Sequence, residues 1–359
     1  MPKLYIIGAG CSKNYSQSTT KIPGLSSPLD KDFFQMAKKY LQSEYRDDGT
    51  SFRFGDDIDH LIRDLCEMYA YYSENTIDVL DDNRLSLENV MTAFSLRMEI
   101  FDRFLYTYGY PDQRMSVAPR RLYTLLELAA RTFSEALKGP VCKKHLELAG
   151  LMTPGDIVFS YNYDILMDNA LREARKLTDA GYFLSFYKVF DGSGWTRPED
   201  DDSSVSILKL HGSLNWLRCS ICNSNLLMRH TKVGEWLTGL PNSCPKCDAG
   251  SVYIERLLVP PLLTKNYGDP AINYLWLQAE RCLEKVNEIV VIGYSLPQTD
   301  FASEALLRRG IEGKTRLKIP VTVVDIDEGV KRRFSRIFNP DNVKWVNSFD
   351  KYLDSQRRK

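Results

Sequence analysis

The chain has 359 residues, 43% of them hydrophobic, enough to fill one large domain with insertions or two domains, and too apolar for a disordered or fibrous protein. Lys plus Arg equals Asp plus Glu at 47 each, so the overall charge draws the chain toward neither nucleic acid nor an anionic membrane surface. The N-terminal apolar run Leu4 to Ile7 is too short for a secretory leader, and no stretch approaches the roughly 20 apolar residues that cross a bilayer. A cytoplasmic location is therefore expected.

Short runs rich in Val and Ile recur along the chain, each closed by Gly, Asn, Asp or His: Leu4 to Ile7, Ile157 to Ser160, Ser206 to Leu210, Ile289 to Ile292 and Val321 to Val324. Such runs read as buried parallel strands. Helical spacing lies between them, as over Pro270 to Val286 and Asp300 to Gly310. The alternation predicts a Rossmann-like, doubly wound α/β sheet, whose ligands bind beyond the carboxyl ends of the strands.

Two stretches interrupt the pattern. No strand is expected from Pro28 to Gly150, where Ile58 to Tyr72, Leu85 to Tyr108 and Pro119 to Leu137 carry apolar residues at helical spacing. Its aromatic residues, Tyr69, Tyr71, Tyr72, Phe94, Phe101, Phe104, Tyr106 and Tyr108, read as core, with some available to an oligomer or partner surface. The second interruption is the cysteine-bearing stretch from Cys219 to Ile254. The expected organisation is an α/β domain over residues 1–27 and 151–359, a helical insertion over 28–150 and an inserted cysteine module over 219–254. The acidic run Glu199 to Asp202 after Pro198 reads as a solvated loop.

Of eight cysteines, Cys219, Cys222, Cys244 and Cys247 form two C-x2-C pairs separated by 21 residues, 223–243. In an intracellular chain that spacing points to a closed tetrahedral zinc site rather than to crosslinks. With no open coordination position, the metal would be structural. Arg218, Arg229, Lys232 and Lys246 are too few and scattered for a nucleic-acid-binding ribbon, so no direct nucleic-acid contact is expected. Cys66, Cys142 and Cys282 read as small core hydrophobes, and His60, His145 and His230 as surface or core residues.

Gly8-Ala9-Gly10-Cys11-Ser12 follows the first strand, where glycines permit a tight turn and close approach of a diphosphate to backbone N–H groups. The turn lacks the third glycine of G-x-G-x-x-G, so alone it is equally an ordinary β-α connection. Further along come Asn162 and Asp164 after the second strand and His211-Gly212-Ser213 after the third. Asn and Asp there would also serve as helix caps.

Taken in order, Gly-Ala-Gly-x-Ser, Asn-x-Asp, His-Gly-Ser, two C-x2-C pairs, Gly293-Tyr294-Ser295-Leu296 and Val324-Asp325-Ile326-Asp327 resemble the sirtuin family from residue 8 to residue 327. The resemblance implies NAD as substrate and a role for each residue. Asn162 would hold the ribose or an attacking water, and Asp164 the nicotinamide carboxamide. His211, with an unperturbed pKa near 6.5, would act as general base on a ribose hydroxyl. Gly8, Ala9, Gly10, Cys11 and Ser12 would cradle phosphates together with Gly293 and Ser295, and Asp325 or Asp327 would accept from the adenosine ribose.

Departures from the family shift the expected acceptor. Leu257 to Lys265, with Pro260 and Pro261, stands where deacylases clamp an acyl-lysine peptide by strand addition, and proline donates to no ladder. Tyr161 stands where sirtuins usually have Gln. With the helical insertion, these features look more like sirtuin-like effectors of bacterial antiphage defence, which implies an NAD glycohydrolase gated by oligomerisation or an activating partner. The alternatives are a protein deacylase and a non-catalytic NAD- or ADP-ribose-binding scaffold.

Overall fold

The computed structural model describes residues 2–13, 15–44, 55–69, 76–97, 117–229, 241–250, 253–263, 265, 267–311 and 318–358. Among the residues singled out above, Tyr71, Tyr72, Phe101, Phe104, Tyr106, Tyr108, His230, Lys232 and Thr264 lie outside the described residues. The chain divides into two compact units, one of residues 1–18, 138–259 and 266–359, the other of residues 19–137 and 260–265.

The first unit is built on a six-stranded sheet of β1 (Lys3–Ile7), β2 (Ile157–Ser160), β5 (Ser206–Lys209), β9 (Glu288–Ile292), β10 (Val321–Val324) and β11 (Val343–Val346). Their spatial order is β11-β10-β9-β1-β2-β5 and every pairing is parallel. Counted along the sheet's own strands this is the order 3-2-1-4-5-6 of a doubly wound dinucleotide-binding sheet. All four residues of β2 are buried, as are the last four of β1 and of β9, which is why each reads as an unbroken apolar run. Helix Lys143–Leu151 packs against helices Leu166–Glu173 and Phe349–Arg357, while helix Pro270–Leu283 packs against Phe301–Gly310. Asp269 starts the helix at Pro270, its carboxylate accepting from the N–H groups of Ala271 and Ile272.

A second sheet in this unit, unforeseen from the sequence, joins β4 (Trp195–Thr196), β3 (Lys188–Phe190), β7 (Asn225–Met228), β6 (Gly212–Cys219) and β8 (Ile254–Leu258) in that order. The cysteine pairs therefore sit on a sheet that reaches well beyond residues 219–254. Strand β6 runs from the residue after His211 to the first cysteine of the module. The module also has a small apolar cluster of its own, with Leu217, Leu226, Met228 and Ile254 beside Cys219 and Cys244.

The second unit is helical, with Phe33–Glu44, Gly55–Met68, Leu87–Arg97 and Val117–Ala136 as its main helices. Phe33, Phe34, Leu61, Leu65, Val90, Phe94, Leu125 and Leu128 form its core, and half-buried Tyr69 packs against it. Lys38 bridges Asp78 and Asp81 there, and Arg121 pairs with Asp64 at 2.5 Å. Among the described residues no helix is long and apolar enough to cross a membrane.

Candidate active site and metal centre

In a sheet of this order the crevice opens where the chain reverses direction of travel, between β1 and β9. Gly8 closes β1 and Gly293 closes β9, and their two turns are pressed together. A Cβ on Gly8 would lie 2.5 Å from the Cα of Tyr294, and one on Gly10 would lie 2.9 Å from the Cα of Gly293. Gly293 also has φ +62°, a left-handed conformation that favours glycine. The N–H groups of Gly8, Gly10 and Cys11 donate to the carbonyls of Ile292, Gly293 and Gly8 at 3.1, 2.9 and 2.9 Å. As placed, these glycines serve close backbone packing, with their donors committed inside the fold.

Side chains from three strand ends converge beside this turn. Asn162 Nδ2 donates to the Gly8 carbonyl at 3.2 Å and to Ser12 Oγ at 2.9 Å, and Ser12 Oγ donates to Asp164 Oδ2 at 2.6 Å. The other Asp164 oxygen accepts from the Leu166 N–H at 3.0 Å, so Asp164 both holds the first N–H of helix Leu166–Glu173 and anchors Ser12. Asn162 Oδ1 is buried and has no hydrogen-bond partner among the described residues. An unpaired buried amide oxygen is costly to the fold unless a ligand or water meets it. Burial pushes the Asp164 carboxyl above the usual carboxylate range, against the opposing pull of Lys209, Ser12 and the Leu166 N–H.

Lys209, at the end of β5, is wholly buried beneath this group. Its ammonium donates to the Asp164 carbonyl and to Asp168 Oδ2, the latter at 3.1 Å, and Tyr182 donates to Asp168 Oδ1 at 2.9 Å.

Only Leu210 separates His211 from the end of β5. Gly212, at φ +74°, turns the chain from β5 into β6, and a Cβ there would lie 2.5 Å from the Cα of Leu258. The Val259 N–H donates to the His211 carbonyl at 2.9 Å, and Tyr163 Oη donates to the Val259 carbonyl at 2.7 Å. The imidazole meets the edge of the Tyr161 ring at 5.1 Å between centroids, and Tyr161 stacks flat on Tyr294 at 4.1 Å and 5°. Asn162 and His211 are thus brought to one buried site through Tyr161, the neighbour of one and ring partner of the other.

Two residues with no assigned role in the sequence reading join this site. Asp300, buried at the start of helix Phe301–Gly310, places Oδ1 3.8 Å from His211 Nε2, and its Oδ2 accepts from Tyr294 Oη at 2.9 Å. His145, set aside above as surface or core, is wholly buried between Cys11 Sγ at 3.3 Å and Cys142 Sγ at 3.0 Å. Burial lowers His145 to about 4 and pushes the Cys11 thiol well above its ordinary value. Asp300 lies far from His211 in sequence, so no local signal joins them, and His145 is close to Cys142 in sequence but reaches Cys11 only through the fold.

The remaining cofactor candidates lie at the ends of β9 and β10. Ser295 is exposed, and its carbonyl accepts from Arg333. Asp325 is half-buried, which raises its carboxyl, and it accepts from the Asp327 N–H at 2.9 Å. Asp327 is exposed and accepts from the Gly329 N–H at 2.7 Å.

The sulfur atoms of Cys219, Cys222, Cys244 and Cys247 all lie within 4.8 Å of one another, with Cys219 to Cys247 and Cys222 to Cys244 at 3.7 Å. Tetrahedral Zn–S bonds of about 2.3 Å require sulfur separations of about 3.8 Å, so the four fit one zinc ion. Each pair forms the same knuckle. Asn223 N–H donates to the Cys219 carbonyl and Asp248 N–H to the Cys244 carbonyl, at 2.8 and 2.9 Å, with φ +56° and +57°.

The chain is similar to solved Sir2 homologues. A Sir2 homologue–NAD complex matches at 15% identity over 99% of this chain and 88% of that one, with TM-score 0.45. A Sir2 homologue mutant in complex with ADP-ribose matches at 15% identity over 99% and 90%, with TM-score 0.42. A Sir2 bound to a propionylated peptide matches at 14% identity over 100% and 91%, with TM-score 0.37. No protein-family model matches the chain, and no curated protein does. At this identity and these scores the likeness decides no reaction, and the site's chemistry rests on the chain's own residues.

Proposed function

We propose that the protein is an NAD glycohydrolase of sirtuin type, which cleaves the nicotinamide–ribose bond and passes the ribosyl carbon to water. The observation that carries this reading is the buried chain Asn162–Ser12–Asp164 at the switch point of the sheet, linked to His211 through the Tyr161 ring and with Asn162 Oδ1 awaiting a donor. A site of this composition suits an oxocarbenium-like centre: it orients hydroxyl groups and moves one proton while presenting little bulk solvent. Asn162 Oδ1 holds a ribose hydroxyl or the attacking water. The C1′–N bond breaks, the electron pair leaves with nicotinamide, the water oxygen bonds to C1′, and His211 accepts the water's proton. Asp164 fixes Ser12 and the helix start, and it stands ready for the carboxamide. Asp325 and Asp327 offer carboxylates for the adenosine ribose, and Gly8 to Ser12, Gly293 and Ser295 shape the diphosphate's path.

Water is favoured over a peptide acceptor by the segment after β8. Pro260 and Pro261 have no N–H, Leu262 N–H donates to the Pro260 carbonyl at 2.9 Å, and Leu263 N–H donates to Thr92 Oγ1 at 2.9 Å. The Val259, Leu262 and Leu263 N–H groups are thus already taken, and two prolines supply none, which leaves little for an added peptide strand along these residues. The wider reading, a gated effector of the antiphage-defence kind whose oligomer or partner licenses turnover, rests on the sequence resemblance.

The test is nicotinamide release from NAD, measured across a protein concentration series, with and without an acetyl-lysine peptide. Release independent of peptide and abolished by Asn162→Ala or His211→Ala is expected. Release that requires peptide would make the chain a deacylase instead, and tight NAD binding with no release under any condition would make it a scaffold.

A further inference from the structure

We propose that Asp300 is the positioning residue for His211, a carboxylate partner that fixes the imidazole's tautomer and stabilises its protonated form. Its kinetic consequence rests on the NAD-cleavage reading. The pairing itself does not.

The two groups come from distant elements: His211 from just beyond the end of β5, Asp300 from the residue before helix Phe301–Gly310. Both side chains are at least nine-tenths buried, at 6% and 4% exposed, and Oδ1 of Asp300 faces Nε2 of His211 at 3.8 Å. A carboxylate at that distance in a poorly solvated site favours the N–H on the nitrogen it faces and favours imidazolium over imidazole. The contact is also too long for a direct hydrogen bond, so it tightens or takes up a bridging water when the proton arrives.

The carboxylate is itself held. Tyr294 Oη donates to Oδ2 at 2.9 Å, while the backbone that carries the side chain is fixed by the Ser303 and Glu304 N–H groups, which donate to the Asp300 main-chain carbonyl at 3.0 and 3.3 Å. Tyr294 in turn is stacked on Tyr161, whose edge meets the imidazole. Among the described residues, phenols also face His211: Tyr161 after β2, Tyr163 with its ring 6.4 Å away, and Tyr267 ahead of helix Pro270–Leu283 at 6.3 Å. Burial raises Tyr161, Tyr267 and Tyr294 above their ordinary range, so these phenols stay neutral near pH 7. The arrangement has the logic of an oriented general base, in which a third group holds the imidazole that takes the substrate's proton.

The experiment is a titration of His211 by NMR in the full-length protein carrying 15N-histidine, with its signal assigned by its absence from His211→Gln. The chain has 4 histidines, so overlap is small. Asp300→Asn keeps the shape and the Tyr294 hydrogen bond, and is expected to lower the His211 midpoint by about one pH unit or more. Tyr294→Phe, which takes a donor away from the carboxylate and makes it more basic, is expected to move the midpoint the other way. In turnover, Asp300→Asn should lose about tenfold or more in kcat with KM little changed, and its acid limb should move to lower pH with the midpoint. Asp300→Glu should recover part of the loss.

A His211 midpoint unmoved in Asp300→Asn overturns the proposal whatever the rate does. A midpoint that falls as expected, in a protein that never cleaves NAD, upholds the pairing and removes the glycohydrolase reading. Should Asp300→Asn fail to fold, Tyr294→Phe decides: an upward shift supports the pairing and no shift overturns it.

Discussion

The N–H of Gly10 donates to the carbonyl of Gly293 at 2.9 Å, which fastens the turn after β1 to the turn after β9 at the switch point of the sheet. Gly293 tolerates no side chain: its φ is +62°, and an added Cβ would lie 2.7 Å from the Cα of Gly10. Gly293→Ala is expected to destabilise the protein by about 3 kcal/mol or more, since strain and backbone overlap act together. Urea denaturation checks this, and a cost under about 1 kcal/mol would mean that the two turns part easily.

Ser12→Ala removes the hydroxyl that links Asn162 to Asp164. Asp164 Oδ2 then loses its donor in a buried position, a cost of about 1–3 kcal/mol. Nicotinamide release should fall together with stability, because Asn162 retains only its 3.2 Å bond to Gly8. Unchanged kinetics would separate Ser12 from the chemistry.

His145 makes the fold sensitive to acid. Burial lowers its pKa from 6.5 to about 4, so between these values the unfolded chain binds the proton that the folded chain refuses. Its contribution is complete above about pH 6.5 and is lost as pH falls toward 4, a total of roughly 3 kcal/mol from a shift of about 2.5 pH units at 1.36 kcal/mol each. The readout is the difference in unfolding free energy between wild type and His145→Gln from pH 7 to pH 4. Parallel pH curves for the two proteins would contradict it.

Lys209→Met is expected to be among the most damaging changes in the sheet. It leaves Asp168, itself buried, with only the Tyr182 hydroxyl and no countercharge, which costs about 3–5 kcal/mol. The double variant Lys209→Met with Asp168→Leu should recover part of that loss, as read from melting temperature. No recovery would show that Lys209 acts through the Asp164 carbonyl instead.

The parallel strands are legible in the sequence because each is buried on both faces, so burial writes itself as a run of Val and Ile ended by a polar residue. Strand β11 escapes that rule: its Val-Lys-Trp-Val lies at the sheet edge with Lys344 exposed and Trp345 half-buried. The second sheet is hidden for the opposite reason. Seven of eight residues in β6 are buried, including Ser213 and Asn215, whose side chains bond to each other at 2.6 Å, so neither alternation nor an apolar run betrays the strand. The cysteine pairs are legible because metal geometry forces a short spacing. Asp300 is not, since nothing local distinguishes an Asp before a helix from a cap, and only the fold carries it to His211.

Only Leu210 and His211 separate the end of β5 from Gly212, and β6 then continues unbroken to Cys219. His211 and the first cysteine of the module therefore lie at opposite ends of one eight-residue strand, whose register against β8 shifts between Gly212 and Leu217. Loss of a metal from the four cysteines would loosen one end of that strand, and His211 at the other end would feel it although no cysteine of the module touches the imidazole.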